Sequence, residues 1–401
     1  KSGIGNFGLL DQQSALRWTR RTIFCFGGDA KRVTIFGQSA GAESVAYHLM
    51  MSSSRGLFSR AILESPSLLW AKPLDFSLGI AKEFAKNLNC SGLPVEKLAC
   101  LRNRSVASIL GVQSPASGPT EAGNPSFSCL AVEGCRDFYP TADKVLLKDT
   151  ALELARKGLV NGDVDIIAGT CTNDGSLFAV DYYETLNAST YSGFVRTAVT
   201  MYSQVMHMSI PQPHAILQAL QLYPPAPSSI PMKEQTSQNV ASLERILTDS
   251  QYVCQTRLIA NATTRAGAKA WLYRFDYNAT WRKPCYNTWP APYGNATHTA
   301  ELSFVFGQPL YVFGPPTAAA PPCSFTDREE AFADHIGSMW SLFASGSAPA
   351  SSSSWPVFSA DADQNLILDP LERLESGWHA KVCKFWNGDL TQHWPSQATW
   401  V

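Results

Sequence analysis

The stretch VTIFGQSAGAES, residues 33–44, decides how the rest of the chain is read. Val33-Thr34-Ile35-Phe36 is a strand-like run that passes straight into Gly37-Gln38-Ser39-Ala40-Gly41 and then into a small-residue helix start. A bare G-x-S-x-G is usually a glycine-rich loop. Between a β-branched strand and a helix it has a mechanical meaning. The tight strand-to-helix turn forces the serine toward positive φ and lifts its Oγ above the sheet edge. Glycines two before and two after let strand and helix approach closely. The N–H of Ala40 then points toward a developing oxyanion, helped by the helix N-terminus. Ser39 therefore reads as a nucleophile.

Working outward, residues 9–24 carry apolar positions at helical spacing, and GGDAKR turns the chain into the strand at 33–36. A helix is expected from Ala40 to about Met51, then a buried strand at 60–64 ended by Ser65-Pro66. That strand–helix–strand order is what a parallel sheet needs. Two further strands are expected at 164–169 (VDIIAG) and 271–276 (WLYRFD), after helical segments at 143–157 and 238–268. The proline-rich stretches at 112–128 and 222–233 and the serine tract at 345–356 read as loops, and Asn365 to Asp369 as another strand-like run. One α/β domain over 1–401, with helical and loop insertions around 70–160 and 180–250, fits better than two domains.

Composition is globular: 45% hydrophobic, 16% charged, formal net charge -1. That balance gives no reason to expect nucleic acid or an acidic membrane surface as a partner. No apolar run approaches the ~18 residues of a transmembrane helix. None of the ten cysteines stands in a CxxC pair or with histidines at zinc spacing. Asn-x-Ser/Thr sequons at Asn89, Asn103, Asn187, Asn261, Asn278 and Asn295 accompany them, and together they point to an oxidising, secretory route. The chain opens at Lys1, so a signal peptide is expected to lie ahead of it.

A serine hydroxyl needs a base, and the base needs a carboxylate to orient it. In the strand order of G-x-S-x-G enzymes the acid follows the serine and the histidine follows the acid. Asp174 lies five residues beyond VDIIAG, past a strand end, whereas Asp165 and Asp163 sit at the wrong end. On spacing alone, Asp174-Gly175 reads equally as an ordinary turn. Seven histidines compete for the base. His48 rides the helix behind Ser39 as a packing or surface residue; His207 and His214 come too early in sheet order. His335 is helical, and His379 and His393 follow the last strand. His298 is a loop histidine after strand 271–276, where the base belongs, although a lone loop histidine is ordinarily just solvated.

GNFGLLDQQSALRW with FGGDAKRVTIFGQSAGAES resembles the type-B carboxylesterase and lipase family, which includes the cholinesterases. The likeness runs on through RGLFSRAILESP (55–66), GTCTNDGS (169–176), HTAELSFVFG (298–307), WPVF (355–358) and VCKFWN (382–387), so it covers essentially the whole chain. It implies an α/β-hydrolase fold, a mostly parallel sheet flanked by helices. The family's nucleophile falls on Ser39, its acid on Asp174 and its base on His298, with a supporting role for Glu301. The implied reaction is hydrolysis of neutral carboxyl esters or lipids through an acyl-enzyme, needing no metal or organic cofactor. The rival is a non-catalytic, neuroligin-like binding member; the intact Ser39, Asp174 and His298 argue against it.

Three departures qualify the likeness. Asp174 stands where the family usually has Glu. Gln38 stands where cholinesterases carry Glu, which argues against a cationic choline substrate. No H-G-G-G-type oxyanion loop occurs in the sequence. The expectation is that this loop and the N-terminal strands lie ahead of Lys1. On that expectation the sheet begins near its middle with an exposed strand edge, and residues 1–401 alone are nearly inactive. The resemblance also implies disulfides Cys90–Cys100 and Cys254–Cys383. Proximity and elimination suggest Cys129–Cys135 and Cys285–Cys323, leaving Cys25 and Cys171 as buried free thiols.

Overall fold

The computed structural model describes residues 5–69, 71–113, 138–179, 195, 199, 213–224, 232–279, 296–309 and 324–389. Its strands are β1 (Thr34–Gln38), β2 (Arg60–Glu64), β3 (Lys72–Pro73), β4 (Thr141–Ala142), β5 (Asp165–Cys171), β6 (Ala270–Phe275), β7 (Gln364–Leu368) and β8 (Arg373–Ser376). Six of them form one sheet in the order β1-β2-β5-β6-β7-β8, and β3 pairs with β4 apart from it. Every pair in the large sheet is parallel except β7 with β8. β5 and β6 are almost wholly buried, so both faces of the sheet are covered there. β1 borders no second strand on its outer side among the described residues, and Phe36 there is 53% exposed.

Helices α1 (Phe7–Thr22), α2 (Ala40–Met50), α3 (Leu74–Asn87), α4 (Pro94–Arg102), α5 (Val106–Gln113), α6 (Ala151–Arg156), α7 (Pro213–Leu222), α8 (Met232–Leu247), α9 (Cys254–Arg265), α10 (Leu302–Val305), α11 (Asp327–Ser345) and α12 (Ala380–Lys384) complete the described elements. One core cluster joins Ala42, Val45, Ala46 and Leu49 of α2 to Ala61 and Leu63 of β2 and Ile166 and Ala168 of β5. The other joins Ile62, Ile167, Trp271 and Tyr273 to Phe332, Ile336, Met339, Trp340 and Phe343, the buried stripe of α11. α11 begins with a Thr326/Glu329 capping box and stops at Gly346, whose φ of 113° only glycine adopts freely. Emptying the Trp340 position would remove about 3–5 kcal/mol.

Several expected boundaries move for local reasons. The helix expected at 143–157 forms only as α6, because Asp143 Oδ1 accepts the N–H groups of Val145, Leu146 and Leu147 and ties that stretch into a turn. The helix expected at 238–268 is α8 and α9 joined by a π-helical segment, Thr248–Val253. Cys90–Cys100 and Cys254–Cys383 are bonded, and Cys171 is buried. Cys25 is a correction: it is exposed, because it sits in the short 3-10 turn Ile23–Phe26 whose residues project from the end of α1. Cys129, Cys135, Cys285 and Cys323, with Asn187 and Asn295, lie outside the described residues. Asn89, Asn103 and Asn278 are exposed, whereas Asn261 is half-buried within α9 and its Thr263 is buried. No described helix is long and apolar enough to cross a membrane.

Candidate active site

In parallel sheets, sites form outside the carboxyl ends of the strands. At this edge β1 delivers Gln38 and Ser39, β2 delivers Glu64 and Ser65, and β5 delivers Cys171 and the loop to Asp174. Ser39 is the N-cap of α2 with φ 55° and ψ -121°, and its N–H donates to Glu64 O at 2.9 Å. The strain has a steric cause. A Cβ on Gly37 would lie 2.4 Å from the Gly41 carbonyl carbon, so the strand can pass the helix start only as glycine. At Gly41 a Cβ meets nothing within 4 Å. Close approach thus explains the first glycine of the motif and not the second, contrary to the symmetric reading of the sequence.

Asp174 is fully buried and heavily supplied with donors. Oδ2 accepts the Cys171 N–H at 2.9 Å, the Ser65 hydroxyl lies 2.9 and 3.0 Å from the two oxygens, and His298 Nδ1–H donates to Oδ1 at 2.7 Å. The loop is fixed on both sides. Asn173 N–H donates to Ala296 O, and a parallel bridge joins Asn173 to Thr297, which aligns the next residue, His298, with Asp174. Asn173 Nδ2 donates to Glu244 Oε1 at 2.6 Å, and Gly175 N–H donates to Thr248 Oγ1 at 2.8 Å. A Cβ on Gly175 would lie 2.3 Å from Glu244 O, so here too glycine permits the approach. These contacts fix the loop where the Asp174 carboxylate reaches His298.

His298 is 4% exposed and packs against Tyr252 and Phe178, ring centroids 4.8 and 5.3 Å away. With Nδ1–H committed to Asp174, Nε2 carries the ring's lone pair. Gln38 Nε2 lies 3.1 Å from it and donates to it. Among the described residues no hydrogen bond joins Ser39 Oγ to the imidazole. Gln38, read from the sequence as a neutral residue where cholinesterases carry Glu, is in contact with the histidine.

Glu301 is buried, accepts the Cys171 thiol at 3.0 Å, and is pushed up to about 7 by burial and by the Asp174 charge. Sequence reasoning missed Ser65, Cys171 and Tyr252. Ser65 looked like a strand stop before proline; its φ of 52° turns the hydroxyl into the site. His214 lies in α7, and three further described histidines are committed elsewhere. His48 is held by Ser54 and Gln12 and lowered to about 4 by burial, His335 pairs with Glu372, and His379 with Asp249. His207 and His393 lie outside the described residues. Among the described residues, no cluster of three or more His, Cys, Asp or Glu could hold a metal ion.

A model of the carboxylesterase family matches residues 1–386. Acetylcholinesterase from Bungarus fasciatus is 28% identical over 396 residues, which cover 96% of this chain and 59% of that protein. Cholinesterase from Mus musculus is 29% identical over 395 residues, 95% of this chain and 60% of that protein. The chain spans about three-fifths of the length of these relatives.

Proposed function

The chain belongs to the carboxylesterase family, and on that premise we propose that it carries the acyl-transfer machinery of a carboxylic ester hydrolase, with Ser39 as nucleophile, His298 as base and Asp174 as its orienting acid. The observation that carries the reading is the 2.7 Å bond from His298 Nδ1–H to a fully buried Asp174, at the same sheet edge as a serine held at positive φ. Nε2 takes the proton of Ser39 as Oγ attacks the ester carbonyl, and Asp174 stabilises the imidazolium that forms. The Ala40 N–H, at the start of α2, is one donor to the oxyanion. The imidazolium protonates the departing alcohol, and water activated by Nε2 then releases the acid. No step calls for a metal or organic cofactor.

The substrates proposed are neutral carboxyl esters or lipids. Gln38 offers no negative charge to a cationic alcohol, although the relatives are named for choline esters. The six sequons and the two disulfides support a secreted glycoprotein. A fluorophosphonate probe tests the chemistry. The expected result is labelling of the natural protein that is abolished by Ser39→Ala. Absence of labelling in a folded protein would favour the non-catalytic binding alternative. Chain-length profiles with p-nitrophenyl esters then separate short-chain esters from lipids.

A further inference from the structure

The strand register sets Glu64, Gly169 and Tyr273 abreast on β2, β5 and β6, and residues in register share a face of the sheet. Gly169 has no side chain, and a Cβ there would lie 2.2 Å from the Tyr273 ring, so the ring lies across that position toward Glu64. Two residues along β5, Cys171 shares the face, and its thiol meets Glu301. Trp340 of α11 donates its indole N–H to Glu64 Oε1 at 3.0 Å. This is a polar island inside an otherwise apolar face. Glu64, Glu301, Cys171 and Tyr273 are all no more than 2% exposed.

Three of its oxygens, Glu64 Oε2, Glu301 Oε1 and Tyr273 Oη, have no hydrogen-bond partner among the described residues. Neither glutamate has an ion-pair partner among them either. The titratable groups facing the pair are Asp174, Cys171, Tyr273 and His298, and all but the histidine can add only negative charge. Two carboxylates sealed from water within one polar cluster, without a cation, cannot both be ionised at low cost. Burial and like charge push both carboxyls above the usual carboxylate range.

We propose that Glu64 and Glu301 share one proton, and that this pair, through Glu301, sets the charge felt by Asp174 and His298. Glu64 is then a positioning residue for the triad. The shared proton stands on its own; its role toward the triad rests on the function proposed above. While the pair holds the proton it carries a single negative charge, and that charge adds to Asp174 in stabilising the imidazolium. Losing the proton doubles the charge; a second proton cancels it. Groups coupled in this way titrate in two steps that belong to the pair.

Infrared titration of the 401-residue protein in D2O reads the proton directly, without any need for turnover. The protein is expected to show a C=O stretch of a buried protonated carboxyl at neutral pH. In Glu64→Gln, which keeps an acceptor for Trp340, and in Glu301→Gln, the remaining carboxyl is expected to deprotonate at least about one pH unit lower, a tenfold loss of proton affinity. Trp340→Phe removes a donor that favours ionised Glu64, so its titration moves upward. The His298 Nδ1–H proton resonance is expected to shift with the pair's titration, and to lose that shift in Glu301→Gln. No protonated band at neutral pH, or residual titrations unmoved in both glutamine variants, would overturn the shared proton. An infrared result as expected, with no fluorophosphonate labelling of the whole natural protein, would sink the proposed function and leave the pair standing.

Discussion

Gln38 Nε2 sits 3.1 Å from His298 Nε2, the ring nitrogen left with its lone pair once Nδ1–H is donated to Asp174. On the function proposed above, the contact makes residue 38 a modulator of the base. A neutral amide donor lowers the readiness of Nε2 to accept a proton. A carboxylate in its place favours the charged imidazolium. In Gln38→Glu the histidine's proton affinity therefore rises, and the acid limb of kcat/KM moves to higher pH. The introduced charge also attracts a cationic alcohol group, so the ratio of choline-ester to neutral-ester turnover is expected to rise about tenfold, some 1.4 kcal/mol. An unchanged ratio with an unchanged pH profile would show that residue 38 does not act on the base.

The two glycines of the elbow separate cleanly by experiment. Gly37→Ala forces a Cβ to 2.4 Å from the Gly41 backbone, which nothing short of moving α2 relieves. Gly41→Ala meets open space. The expected outcome is a loss of about 2 kcal/mol or more for the first, with fluorophosphonate labelling falling in step. The second is expected within about 0.5 kcal/mol of the parent, since alanine also suits a helix. Denaturant midpoints on the two variants check this.

How much of this was legible in the sequence depended on how local each cause is. β2 forms at Arg60–Glu64 as expected, because the apolar Ala61-Ile62-Leu63 run is closed by the Ser65-Pro66 stop signal. The elbow is likewise local, a strand, a turn and a helix within a dozen residues. The partnership of Asp174 with His298 is not. The two stand 124 residues apart and meet through a bridge between Asn173 and Thr297 that no periodicity announces, so Asp174 on spacing alone was indistinguishable from a turn. Ser65 was hidden for the opposite reason: its local signal, serine before proline after a strand, is a good stop signal and gives no hint that the hydroxyl faces an acid. The polar island around Glu64 needs the register of three strands at once, and a single strand pattern cannot carry that.

Ser65 supplies a hydroxyl to both oxygens of Asp174, and its backbone N–H separately bonds Gly169 O. Ser65→Ala removes only the first. A hydrogen bond to a buried carboxylate contributes about 1.5–3 kcal/mol, so stability is expected to fall by that order. The imidazolium loses part of its orienting partner, so kcat is expected to fall more than KM rises. Asp174→Asn removes the charge itself, and by analogy with other Ser-His-Asp sites the loss in kcat is about ten-thousand-fold. If Ser65→Ala instead raised KM with kcat unchanged, the hydroxyl would belong to substrate binding.

Stability should fall as pH rises through neutrality, and the buried groups give the window. Burial raises Glu64 to about 8, Glu301 to about 7 and Glu244 to about 7, from an ordinary 4.5. Between the unfolded and folded values the native state holds more protons than the unfolded chain, so unfolding becomes easier with each step in pH. His48 works the other way. Burial lowers it from 6.5 to about 4, so its contribution is lost as pH falls through that range and is complete above 6.5. Lys72, lowered to about 8 from 10.5, opposes the glutamates only above about 8. From pH 6.5 to 8 the three glutamates therefore act unopposed, and a loss on the order of 2–4 kcal/mol is expected. Denaturant titrations at pH 6.5 and 8 measure it, and Glu64→Gln is expected to remove more than half of the drop, because it also lowers the titration of Glu301. A flat profile across that window would mean that these carboxyls are ionised in the folded protein and are solvated or paired by some other route.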